Sequence, residues 1–183
     1  MQNIGEEIAG EYLKVIKGCK FIEYNLHTPD VQGEIDVVGI DIDNKKLYVC
    51  EVAIHLTTGL MYVKKNAPDN VDRFLKKFRK NIRYANKYFP DYEKHFMLWS
   101  PVVKNQGMGA KNNQLRDVNE VQDKLKEEYG CELELVINHE YLKHLEELRS
   151  FANKETKELK SPVLRLMQIE ERLEKHLTRF RVQ

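Results

Sequence analysis

Residues 33–54 read GEIDVVGIDIDNKKLYVCEVAI, and their reading decides the fold class. Gly33 to Ile40 and Lys46 to Ile54 are rich in β-branched residues, while Asp41, Asp43 and Asn44 between them supply turn chemistry. The pattern predicts a β-hairpin. Two acids, Asp36 and Glu51, stand inside these apolar runs, where an unpaired carboxylate is costly unless it has a ligand. Hairpin pairing brings both side chains to one face of the sheet where the register matches. Hard cations such as magnesium take oxygen ligands and keep several waters, so two or three carboxylates with a substrate phosphate make a suitable site. A metal there would polarise the phosphate and activate water.

Upstream, Ile4, Ile8, Tyr12 and Val15 fall at helical spacing and Gly18 follows as a stop, which predicts an amphipathic opening helix. Glu6, one turn into that helix, would complete the carboxylate set if the helix packs over the hairpin. Lys20 to Asn25 reads as a strand, and His27 to Gln32, with Pro29 and Asp30, as a turn.

Downstream, Asp69 to Phe89 carries Val71, Phe74, Leu75, Phe78, Ile82, Ala85 and Phe89 as a helical stripe, with Arg73, Lys76, Lys77, Lys80, Arg83 and Lys87 on the other side. From Lys64 to Lys87 nine basic residues, including Lys65 and Arg79, face only Asp69 and Asp72, a local balance of +7 in a chain whose net charge is +1. Such asymmetry suits a polyanion; a solvated helix face is the plainer reading. His95 to Val103 reads as a central strand ended near Pro101, Lys104 to Lys111 with Gly107 and Gly109 as a loop, and Val118 to Tyr129 as a helix stopped by Gly130. Glu132 to Ile137 reads as a strand. From His139 the pattern is helical and charged, with a break at Ser161 and Pro162. The whole predicts an α/β protein, a mixed central sheet flanked by helices over residues 1–138, and a C-terminal helical extension over 139–183.

With 183 residues, 42% of them hydrophobic and 32% charged, the chain can bury a core of about one domain. Cys19, Cys50 and Cys131 are odd in number and form no CxxC pair, which argues against a disulfide framework or zinc cluster and fits a reducing cytoplasmic setting. No run approaches the roughly 18 apolar residues of a membrane span. A zinc site from His27, His55, Cys19 and Cys50 matches no clustering rule. Phe96, Met97 and Trp99 read as core rather than base-stacking surface, and Gly107 and Gly109 with Lys104 and Lys111 as a loop rather than a phosphate cradle.

The segments IGEEIAGEYL (4–13), GCKFIEYN (18–25), GEIDVVGID (33–41) and LYVCEVAIH (47–55) resemble, in order and spacing, the PD-(D/E)XK nucleases of the restriction-endonuclease-like fold, in particular their Holliday-junction-resolvase-like branch. The resemblance covers residues 4 to 55, with a weaker echo from Arg73 to Tyr88 and in the strand after it. It implies a restriction-endonuclease-like sheet in which Glu6 is the helix acid, Asp36 the principal metal ligand and Glu51 the second, with the carbonyl of Val52 also facing the metal. Glu34 shares the face of Asp36, and Glu7 is the reserve if the helix is rotated. The pattern breaks at the lysine two residues after the second acid, where this chain has Ala53. The resemblance gives that lysine the work of orienting water and stabilising charge on the phosphate. His55, Lys64 and Lys65 are the candidate replacements.

The expected function is therefore Mg2+- or Mn2+-dependent hydrolysis of a nucleic-acid backbone, DNA first. Glu6, Asp36, Glu51 and His55 are the catalytic candidates, and Lys64, Lys65, Arg73, Lys76, Lys77, Lys80, Arg83 and Lys87 would hold the substrate. The alternative is a module that kept the fold and binding but lost the reaction. Leu142, Leu145, Leu148, Leu159, Leu164, Leu166, Leu173 and Leu177, in the tail from His139 to Arg181, could pack on the core or form a homodimer contact.

Overall fold

In the computed structural model, which describes residues 3–29, 33–107, 109–110 and 112–180, the chain runs α1 (Ile4–Val15), β1 (Phe21–His27), β2 (Glu34–Asp41) and β3 (Lys46–Val52). A small hairpin, β4 (Val63–Lys64) and β5 (Ala67–Pro68), leads into α2 (Asn70–Tyr88) and β6 (Glu93–Ser100). Then come α3 (Gln114–Tyr129), β7 (Leu133–Ile137), α4 (Asn138–Lys154) and α5 (Pro162–Phe180). Asp30 and Gln32 of the expected turn, Lys111 of the glycine loop and Arg181 of the tail lie outside the described residues.

One five-stranded sheet has the order β1, β2, β3, β6, β7. Its first three strands are antiparallel and its last three parallel, so β3 belongs to both halves. Parallel neighbours need a crossover connection, and α2 and α3 supply the two. Helices cover both faces, which is why β2 and β3 are buried along most of their length and read as near-continuous apolar runs.

Phe74, Leu75 and Phe78 of α2 and Val118, Val121 and Leu125 of α3 pack on Val38, Val49, Phe96 and Leu98. On the opposite face, Tyr12 and Leu13 of α1, Leu148 of α4 and Leu164 and Met167 of α5 pack on Val37, Cys50, Met97 and Trp99. The helices of the C-terminal extension thus share one core with α1. Trp99 is fully buried, as its apolar setting predicted. The three cysteines are free. No helix among the described residues is long and apolar enough to cross a membrane.

Two glycines let α1 lie flush on the sheet. A Cβ at Gly5 would stand 2.2 Å from Ile54 Cγ1, and one at Gly10 2.2 Å from the Tyr24 hydroxyl, so any larger residue would lift the helix. Local chemistry also moves boundaries from their expected places. α3 starts at Gln114, four residues before Val118, because the Asn113 side chain caps it by accepting from the Arg116 N–H. The tail break spans the residues between Lys154 and Pro162, and Pro162 opens α5 in the first-turn position where its missing N–H costs nothing.

Candidate functional site

The ladder between β2 and β3 runs from Asp41↔Lys46 to Val37↔Cys50 and stops there. Asp36 and Glu51, the next residues on each strand, therefore sit where the two strands part. The Ala53 N–H is bound by the Trp99 carbonyl of β6, so the preceding N–H, of Val52, points towards β2. It donates to Asp36 Oδ2 at 2.7 Å, and a side chain replaces the missing rung. Glu51 is 0% exposed and Asp36 7%.

α2 crosses this face and presents Lys77 and Asn81, one turn apart, to the acids. Lys77 Nζ donates to Glu51 Oε2 and lies 3.4 Å from Asp36 Oδ2. Asn81 Nδ2 donates to Glu51 Oε1 at 2.7 Å, while the buried Asn81 Oδ1 has no partner among the described residues. Burial, then the Asp36 charge, push the Glu51 carboxyl up to about 7 against the pull of Lys77 and Asn81. Burial pulls the Lys77 ammonium down, but the two carboxylates outweigh it and the net shift is upward. A buried charge is tolerable only with such partners.

Lys77 also lines a cleft of about 970 Å³ between α2, the start of β2 and the β4–β5 hairpin. Six cations line it, Lys64, Arg73, Lys76, Lys77, Lys80 and Arg83, against three acids, Glu34, Asp69 and Asp72. Lys65 and Lys87 are exposed elsewhere. Lys80 is buried, donates to the Glu34 carbonyl, and has its ammonium pKa lowered by burial. It braces β2. Arg79 is held by Glu128 of α3.

Each residue read from the sequence now has a place. Asp36 and Glu51 come together. Val52 joins them through its N–H. Glu6 is buried on α1, where its carboxylate accepts from the Asn3 N–H at 3.0 Å and from the Asn3 and Asn25 amides, closing a capping box. Among the described residues no three acids, histidines or cysteines stand close enough to share a metal. Glu7 accepts from the Ser161 hydroxyl, and Glu34 is exposed on the cleft wall. His55 is exposed beyond the end of β3 and meets the Tyr62 hydroxyl at 3.2 Å. Ala53 is packed in the core beside α2, so a long side chain has no room there.

The cation beside the acids is thus Lys77, which the sequence placed among substrate-binding residues. Asn81 was not singled out at all. Its signal was present: it is a polar residue on the buried stripe of α2, four positions after Lys77. Compared with known protein families and with curated proteins, the chain finds no match in either.

Proposed function

We propose that this chain is a metal-dependent nuclease of the restriction-endonuclease-like fold, acting on nucleic acid, DNA in the first place, with Mg2+ or Mn2+ held by Asp36 and Glu51. The observation that carries the reading is the position of Lys77, at once a wall residue of a cationic cleft and the partner of two buried acids from parting strands. The element order supports the fold assignment: a helix, three antiparallel strands, a helix, and a fourth strand parallel to the third.

The donor set fits a hard cation. Two carboxylates already converge on one ammonium, Asp36 Oδ1 has no partner among the described residues, and magnesium needs only one or two protein carboxylates beside water and phosphate. Bound there, the ion would polarise a phosphate oxygen and lower the pKa of its water. Asn81 fixes the Glu51 carboxylate. Lys77, on a flexible stem, supplies the charge that the resemblance gives to the lysine missing at Ala53. Lys64, Arg73, Lys76 and Arg83 line the cleft and give it the positive field that draws a polyanion in.

A second reading, a nuclease fold kept for binding alone, rests on the same triad, because Lys77 already satisfies both acids without a metal. Calorimetric titration with Mn2+ separates the two. The nuclease reading expects one site in the wild type, none in an Asp36→Asn, Glu51→Gln double variant, and tighter binding in Lys77→Met, where the competing ammonium is gone. A wild type that takes no Mn2+ yet binds DNA in a salt-sensitive way supports the binding module.

A further inference from the structure

Among the cleft cations, Arg73 differs from the rest. It is exposed, and among the described residues its guanidinium makes no hydrogen bond and no ion pair, although Asp69 and Asp72 lie on the same wall. The guanidinium sits instead on an aromatic ring. Arg73 Cζ lies 4.0 Å from the centroid of the Tyr62 ring, a cation–π stack.

Tyr62 is held by its backbone and by its ring. The Tyr62 N–H donates to Asn70 Oδ1 at 2.8 Å and its carbonyl accepts from the Asp69 N–H at 2.9 Å, which ties it to the start of α2. Asn70 is held in turn by Asp117 of α3. The Tyr62 hydroxyl meets His55, and the ring packs edge-on against Phe74 with centroids 5.7 Å apart. The guanidinium is therefore seated over the ring before any ligand arrives, and a pre-seated group loses little entropy on binding.

We infer that the Tyr62–Arg73 stack is a platform for an unpaired nucleobase, so that the substrate class of the cleft is nucleic acid with a single-stranded segment. The inference rests on the nucleic-acid reading above. Arginine planes, like aromatic rings, stack on splayed bases, and such stacking tolerates any base. Arg73 is four residues before Lys77, one turn or about 6 Å along the helix, so a base on the platform delivers its own backbone to the acid cluster. The cleft volume is that of a small-molecule pocket, which admits a few nucleotides of one strand. Exposed Val63, also on the wall, offers an apolar edge beside the platform.

The test is binding of a short labelled single-stranded DNA, the same strand with abasic sites, and a blunt duplex, with EDTA present so that nothing is cut. Wild type is expected to prefer the base-bearing strand over the abasic one by about tenfold. Arg73→Lys keeps the charge and loses the plane; it should erase that preference while leaving the salt dependence unchanged. Arg73→Ala should lose the preference and also flatten the salt slope by about one contact. Both variants alter an exposed side chain and should melt with the wild type. Salt-sensitive wild-type binding that ignores the bases, an Arg73→Lys variant that keeps the preference, or a duplex preferred to the strand overturns the platform and leaves the nucleic-acid reading intact. No salt-sensitive binding to any probe overturns both.

Discussion

Glu51 keeps a carboxyl where water does not reach, and stability should record it. Its pKa is raised from 4.5 to about 7, so between those values the folded chain holds a proton that the unfolded chain has released. Stability of the metal-free protein should therefore fall as pH rises from about 4.5 to 7, by a few kcal/mol in all, and stay lower above that. Glu51→Gln should flatten this decline and melt several degrees above the wild type at pH 8; parallel pH profiles for the two proteins would contradict it. Lys77→Met should keep binding yet lose cleavage by about 100-fold or more, the scale of one lost charge stabiliser. Asp36 and Glu51 were legible as a buried pair because an acid inside a β-branched run must find a partner, whether an ion pair or a ligand. Lys77 was not, because a lysine on a basic amphipathic helix looks like its solvated neighbours until the sheet beneath it is known.

Elements with a strong period were legible as well. α1 and α2 begin and end within a residue of their expected limits, and the hairpin of β2 and β3 is where β-branched runs and turn chemistry put it. The β4–β5 hairpin has two residues per strand, too few to show any period, and it turns on Lys65 and Asn66 at positive φ, which no glycine announces. At Glu6 the chemistry of the element and the expected site role meet in one side chain. The resemblance makes it a site acid, and in the fold its carboxylate is the N3 partner that closes the capping box with Asn3, the N-cap of α1. Glu6→Gln keeps the accepting oxygen and should retain both stability and cleavage; Glu6→Ala should cost about 1 kcal/mol, read from the melting temperature. A folded but inactive Glu6→Gln protein would show that Glu6 is catalytic, as the resemblance implies.

For the molecule as a whole, a net charge of +1 hides a cleft with six cations, two of which, Lys77 and Lys80, are already engaged by the protein. Among the described residues four remain without an ion-pair partner, Lys64, Arg73, Lys76 and Arg83, so the logarithm of affinity for single-stranded DNA should fall with the logarithm of salt at a slope of about −3. The charge asymmetry was legible from Lys64 to Lys87, but not which cations would be spent internally, since that depends on contacts made across the fold. In the tail, Leu148 and Leu164 are buried while Leu142, Leu166, Leu173 and Leu177 are exposed, so the homodimer proposed from the sequence falls to that outer set. Light scattering checks it: charged replacements at Leu166, Leu173 and Leu177 should halve the mass of a dimer, and a monomeric wild type ends the idea. The central claim is tested most directly by incubating the full chain with labelled DNA and Mn2+, beside Lys77→Met and the Asp36→Asn, Glu51→Gln double variant. Cleavage by the wild type alone, with all three proteins still binding the DNA, is the predicted result; intact DNA in every lane, or cleavage undiminished in Lys77→Met, would contradict it.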